Sequence, residues 1–249
     1  MAERAGLWYH AASFALLIAL WQAASGWLDS QALPPPLAVL EVLIAGIGDG
    51  EIPYHVGITL ARVAVSFLIA MSIGVALGLL MGRQRWFDRL FDGWLILFLN
   101  IPALVTIILL YVWLGLVEIA AIAAVAINKI PNVVVTIREG ARALERDYLE
   151  MAQVYRLGRL RTIRHVMLPQ LFPYVIAAAR SGLALIWKIV LVVELLGRGD
   201  GVGFQLYTYF QLFDVASILA YTFAFVAAVQ VIELAGLQPL ERRVNRWRR

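Results

Sequence analysis

Stretches long and apolar enough to cross a membrane as helices recur along this chain, and they constrain its fold more than any single motif does. A helix needs about 20 apolar residues to traverse roughly 30 Å of hydrocarbon. Stretches of that kind lie at 8–28, 58–81, 94–115, 117–136, 172–196 and 214–237. The expected fold class is therefore an all-α polytopic membrane protein with about six transmembrane helices. Composition agrees, because 62% of residues are hydrophobic and only 15% charged, whereas soluble domains have an apolar content nearer half. Asn100-Ile101-Pro102 interrupts the third stretch. A proline within a span removes a backbone hydrogen bond that a neighbour must replace, so a bend is expected there. The first stretch exceeds the apolar core of about 7–15 residues usual in a secretory signal, and only Arg4 precedes it, so a retained span is expected.

The distribution of the 21 Lys and Arg residues sets the orientation. Arg4, the group Arg83, Arg85 and Arg89, the cations from Arg138 to Arg164, and those from Arg242 to Arg249 fall on one side. The positive-inside rule makes that side cytoplasmic, with both termini inside. The opposite side receives the 29–57 connection, which has acids but no Lys or Arg, and a second connection with Arg198, Asp200 and Asp214. Within 29–57, prolines 34 to 36 and the glycines from Gly46 to Gly50 bracket an amphipathic run, 37–47, too short to span and expected to lie along the membrane surface. The chain thus divides into 1–57, a first helix with its outer connection; 58–237, a core of about five spans; and a basic cytoplasmic tail, 238–249.

Several function classes drop out at this point. A net charge of +4 suits nucleic acid only as a basic face on a soluble module, and here the cations fall between apolar runs, so no nucleic-acid partner is expected. The absence of cysteine excludes disulfides, thiolate metal sites and cysteine nucleophiles. His10, His55 and His165 sit in separate segments without ligand spacing, and no phosphate-loop signature is present, so no metal, catalytic residue or cofactor is expected on the chain. Gly74, Gly78 and Gly82 lie four residues apart, on one helical face where another helix can approach closely. No internal repeat of the kind that marks the halves of many transporters is present, which points to a half-channel completed by another chain.

The largest cytoplasmic connection, 138–172, has the composition of an ordered loop. Asp147 and Glu150 stand in a capping-box arrangement, followed by a short amphipathic helix expected to end near Gly158. Leu168-Pro169 is expected to stop a second short helix before the chain re-enters the membrane. Glu150, Ala152, Leu168 and Pro169 fit the frame of the EAA signature of permease subunits of bacterial ABC importers. The stretches "LPPPLAVLEVL", "GITLARVAVSFLIAMSIGVALGLLMG", "NIPALVTIILLYVWLGL" and "GLALIWKIVLVVELLGRGDGVGF" also resemble, in order, the nitrate/sulfonate/taurine-type branch of these permeases. Two positions depart from the signature: Met151 replaces its second residue, and Arg156 stands where its glycine would be, with Gly158 two residues later.

The resemblance implies a permease subunit of an ATP-driven importer in the bacterial cytoplasmic (inner) membrane. Its partners would be a second copy of the chain, two cytoplasmic ABC ATPase subunits that carry the ATP and Mg, a periplasmic or lipid-anchored substrate-binding protein, and membrane lipid. Glu150, Met151, Ala152, Tyr155, Arg156, Leu157 and Gly158 would form the coupling helix that docks on an ATPase subunit, with Leu168 and Pro169 ending the signature loop. The solute would be small and anionic, such as a sulfonate, nitrate or bicarbonate.

Charges and polar groups within spans are costly, so Asn100, Lys129, Arg180, Lys188 and Glu194 are candidates for the translocation pathway. Arg180 and Glu194 are separated by about 21 Å along one helix, so they cannot pair. A cationic lining suits an anion; the alternative is that Lys129 and Lys188 neutralise Glu118, Glu194 or Glu233 across helices. The loop "GRGDGVGF" lacks the Gly-Lys-Ser/Thr ending of a phosphate loop, and the resemblance places Gly199, Gly201 and Gly203 in the periplasmic gate. A stand-alone secondary transporter using the buried charges as an ion relay is the rival reading, and a membrane enzyme is the third. The charge bias makes a direct prediction: a cysteine introduced at Asp49 reacts with an impermeant reagent added outside, and a tag after Arg249 is cytoplasmic. Labelling at Asp49 only after lysis contradicts the orientation.

Overall fold

The computed structural model describes residues 2–28, 32–237 and 239, and among these the regular structure is entirely helical. In chain order the helices are α1 (Ala2–Leu28), α2 (Pro36–Gly48), α3 (Glu51–Arg83), α4 (Arg85–Asn100), α5 (Ala103–Leu114) and α6 (Glu118–Arg142). After these come α7 (Arg146–Val154), α8 (Arg159–Thr162), a π-turn at Ile163–Met167, α9 (Leu168–Gly197), α10 (Val202–Gln211) and α11 (Val215–Ile232).

Among the described residues, four segments are long and apolar enough to span: Glu51–Arg83, Glu118–Arg142, Leu160–Gly197 and Val215–Gly236. The pair α4 and α5 makes a fifth only if taken as one broken span, since the two meet at 96°. That break falls at the expected place. Ile101, which precedes Pro102, is extended as the ring requires, and Asn100 Nδ2 folds back to donate to Ile96 O at 2.7 Å. The described apolar part of α1, Ala12–Trp27, is shorter than a full span, so the expected six are not reached among the described residues. The basic tail expected at 238–249 lies outside the described residues, apart from Pro239.

The centre of the bundle is the trio α3, α6 and α9. The glycine spacing on α3 is what lets α6 in. A methyl group added at Gly74 would sit 2.6 Å from Val133 Cβ, and one at Gly78 would sit 2.8 Å from Ile137 Cβ and 2.9 Å from Val134 O. These partners advance along both helices together, so α3 and α6 run in the same direction, with the acidic connection at one end and Arg83, Arg138 and Arg142 at the other. At that basic end Arg138 Nη1 reaches Asp92 at 2.5 Å and Arg142 Nη2 reaches Asp88 at 2.5 Å, fixing α4 to α6. At the periphery, Trp21 Nε1 and Ser25 Oγ of α1 donate to Pro34 O and Leu33 O at 3.0 and 2.8 Å, which ties α1 to the proline-rich entry of α2.

Filling the seam is expected to break the bundle. Gly78→Leu forces backbone and side chains apart, with overpacking costing about 1–3 kcal/mol or more. Gly57→Ala, where a methyl group meets nothing within 4 Å, leaves stability nearly unchanged. Thermal unfolding of the two purified variants in detergent measures the difference, and equal melting temperatures contradict the seam.

Candidate functional site

Two polar assemblies stand out, one at each end of the bundle. At the acidic end, α3 presents His55, Thr59 and Arg62 on one face, at i, i+4 and i+7. Arg62 is only 4% exposed. Its Nε and Nη2 donate to the two oxygens of Glu118, at the start of α6, at 2.7 and 2.9 Å. Its Nη1 donates to Glu194 Oε1 of α9 at 2.8 Å and to the Asp200 carbonyl at 2.9 Å, and Nη2 also meets the Asp200 carboxylate. A second cation, Arg198, pairs with Glu118 Oε2 at 2.8 Å and donates to Leu116 O at 2.8 Å. The planar guanidinium, with donors on several sides, is the group that can satisfy carboxylates from three directions.

The same side chains receive the first turn of α10. The backbone N–H of Gly201 donates to His55 Nδ1 at 3.0 Å, that of Val202 to Thr59 Oγ1 at 2.8 Å, and that of Gly203 to Glu194 Oε2 at 2.8 Å. Thr59 Oγ1 in turn donates to Glu194 Oε2 at 2.9 Å. A helix start carries unpaired N–H groups and a partial positive charge. Here α3 and α9 cap α10 from outside, with Glu194 supplying the negative charge. Gly201 is required at the start because its φ is +101°. His55 thus accepts from Gly201 at Nδ1, and its Nε2 lies 2.7 Å from Gln205 Nε2.

Of the pathway candidates, only Glu194 belongs to this assembly, and its partner is Arg62 rather than Lys129 or Lys188. Arg62 escaped the sequence reading although the signal was available: it is a cation between Ala61 and Val63 inside the 58–81 apolar run. Lys129 is 1% exposed and packs against Gly182 of α9, where a methyl group would lie 2.6 Å from Lys129 Cε. No carboxylate among the described residues pairs with it. Arg180 and Lys188 are on the exposed side of α9, and Asn100 is exposed at the elbow between α4 and α5. The candidates therefore do not converge on one site, and Lys129 and Glu194 are sealed inside the chain instead of lining its surface. Gly203, like Gly201, belongs to the docked turn, whereas Gly199 has open space around it.

At the basic end, α7 forms without the expected capping box. Its N-cap is Glu145, which makes no side-chain cap; instead the Glu145 N–H donates to Gln170 Oε1 at 3.0 Å, closing the loop on itself. The helix ends at Val154, earlier than the expected Gly158, because Arg156 adopts the left-handed conformation (φ +50°). Its N–H donates to Gln153 O, and that of Leu157 to Ala152 O, each at 2.9 Å. This is the helix stop that glycine favours, and Arg156 occupies it at the position where the signature has glycine. Ala152 is buried, so its side chain packs into this loop, while Tyr148, Met151, Val154 and Tyr155 are exposed, the last two at 79% and 75%. Glu150, Arg156 and Gly158 are exposed as well, and Leu157 is half-buried. Leu168-Pro169 does not stop a helix: the π-turn carries the chain from α8 into α9, and Pro169 sits in the first turn of α9, where its missing N–H costs nothing.

The model of the binding-protein-dependent transport system inner membrane component family matches residues 74–237. The chain belongs to this family. It is therefore the membrane permease component of a transport system, not an enzyme, as the resemblance implied. The match takes in the glycine seam, the α7 loop and Glu194, whereas His55, Thr59 and Arg62 precede it. The chain is 30% identical over 190 residues to a putative aliphatic sulfonates transport permease protein, SsuC, of Escherichia coli (strain K12), covering 76% of this chain and 72% of that one. It is 29% identical over 203 residues to the nitrate import permease protein NrtB of Synechocystis sp., covering 78% and 74%. An inward-facing structure of the MetNI methionine ABC transporter shares the fold, with a TM-score of 0.68 at 19% identity over 76% of this chain and 94% of that one.

Two substitutions test the assemblies. Arg62→Met leaves buried Glu194 uncompensated and is expected to destabilise by about 3–5 kcal/mol, while adding Glu194→Met recovers part of the loss. Arg156→Gly relieves the left-handed strain and is expected to stabilise the loop by about 1 kcal/mol. Melting temperatures of the purified variants report both effects, and a neutral Arg62→Met refutes the network's role.

Proposed function

We propose that the chain is the membrane half-channel of an ABC importer for a small anionic solute, working as two identical copies with two cytoplasmic ATPase subunits and a periplasmic or lipid-anchored binding protein. The observation that carries this reading is the exposed apolar face of α7. Tyr148, Met151, Val154 and Tyr155 stand out at the end rich in arginine, on a loop fixed between two full-length spans. An apolar patch at that position fits a cleft on a soluble partner. ATP and Mg belong to that partner, and this chain supplies the coupling helix, with Arg161 and Arg164 beside it free to meet anionic lipid.

With the basic end cytoplasmic, both termini are inside and the docked turn of α10 faces the periplasm as the outer gate. The anionic solute is supported by the names of the sulfonate and nitrate relatives and by Arg180 and Lys188 on the exposed side of α9. The permease core runs through 58–237 and extends back to Glu51, where α3 begins. A secondary transporter working alone has less support. Glu194 is held by Arg62, Thr59 and Gly203, while Lys129 packs apart from it against Gly182, so the two do not form a relay.

Docking is expected to depend on the exposed residues of α7. Tyr155→Asp and Val154→Asp should lower binding-protein-stimulated ATP hydrolysis by about tenfold or more, while Arg161→Asp and Arg164→Asp have small effects and Ala152→Arg disorders the loop itself. The assay is ATP hydrolysis by the reconstituted complex. Wild-type stimulation in both Tyr155→Asp and Val154→Asp overturns the coupling assignment.

A further inference from the structure

The most uncovered position of α6 at the depth of the membrane interior is polar. Between Ala120 and Arg138, Asn132 is the one exposed residue of α6, with Asn128 and Thr136 half-buried one turn to either side. The three lie four residues apart, on a single stripe. Two of the other spans behave differently: the free face of α3 shows Val65, Leu68, Ile69 and Ile73, and that of α11 shows Phe223 and Val226. Those faces suit lipid.

Hydrogen-bond accounting shows what the stripe leaves open. Asn128 Nδ2 donates to Ala124 O at 2.9 Å, Asn132 Nδ2 to Asn128 O at 3.4 Å, and Thr136 Oγ1 to Asn132 O at 3.1 Å. Each asparagine uses one of its two N–H donors in this way and retains the other, together with its carbonyl oxygen. Against hydrocarbon those groups would have no partner, a situation that membrane proteins confine to the bundle interior or to a water-filled cavity. Lys129, next to Asn128 in sequence, is turned the other way and sealed behind Gly182, so the stripe itself carries no fixed charge.

We propose that the stripe Asn128–Asn132–Thr136 is the membrane-depth wall of a water-filled path, where a small polar solute is passed along by neutral amide and hydroxyl groups. This inference rests on the permease reading above. A wall of amides offers one donor and one acceptor per turn, which suits oxygen-rich solutes such as a sulfonate or nitrate. Because it lacks a cation it holds them weakly, as conduction requires. Selection is then left to a soluble partner, and passage to the stripe.

The chain has no cysteine, so label found on this chain reports the introduced cysteine alone. Asn128→Cys, Asn132→Cys and Thr136→Cys are compared with Leu68→Cys and Val226→Cys in the assembled complex in lipid, using a small charged methanethiosulfonate reagent. The stripe is expected to react at least about tenfold faster than the apolar faces, since a thiolate forms only where water reaches it, and to change its rate when ATP is added. Rates at all three positions no faster than those at Leu68→Cys overturn the proposal, whether the stripe then meets lipid or is sealed against a second copy. Fast labelling indifferent to ATP keeps the watery wall and removes the ATP-driven reading instead. If one variant fails to assemble, the other two positions report the same face.

Discussion

Arg62 is the group on which the acidic end of the bundle depends. A guanidinium almost withdrawn from solvent is tolerable only when its donors are satisfied, and the carboxylates of Glu118, Glu194 and Asp200 do so from α6, α9 and the connection before α10. Removing either Arg62 or Glu194 leaves the other charge buried and short of its closest counter-ion, whereas Glu118 and Asp200 sit at the partly exposed rim of the set. With Glu194 in place, Thr59 and His55 complete the socket that holds the first turn of α10. One cation thus sets the relative position of four helices where the outer gate is proposed.

The opposite end is arranged for a different purpose. Arg138 and Arg142 bind Asp92 and Asp88, so α4 and α6 are fixed next to the base of the α7 loop. From that loop the π-turn and α9 run without a break to Glu194, as the continuous segment Leu160–Gly197. At 1.5 Å per residue such a helix reaches about 50–60 Å. If α7 is the docking helix proposed above, a stiff rod joining it to the socket would convert displacement at one end into displacement at the other, because packed helices shift between discrete arrangements rather than bend gradually. Beside that rod, the glycine seam brings α3 and α6 into backbone-to-side-chain contact.

Much of this was legible in the sequence, and the limits have physical causes. The Gly74, Gly78 and Gly82 spacing predicted the helix contact because close approach leaves no other residue choice. The break at Asn100-Ile101-Pro102 was predictable from proline's missing N–H, though not its sharpness. The capping box failed because α7 starts earlier, with Glu145 as its N-cap tied to Gln170, distant in sequence, so that Asp147 lies inside the first turn. The π-turn was invisible because residues 163 to 167 look like ordinary helix. Arg62 is readable as a cation inside an apolar run, whereas pairing Glu194 with Lys129 or Lys188 failed because charge pairing across helices depends on rotation about each axis, which apolar periodicity does not fix. The amide stripe on α6 was hidden for the same reason.

The central claim is that events at α7 reach the socket of α10 through α9, and hydrogen exchange at the Gly201, Val202 and Gly203 amides tests it most directly. In the complex reconstituted in lipid with its ATPase subunits, ATP binding on the cytoplasmic side is expected to change the protection of these three amides, by about tenfold if one such hydrogen bond is lost. Identical protection in the nucleotide-free and ATP-bound states of a complex that still transports would contradict the account.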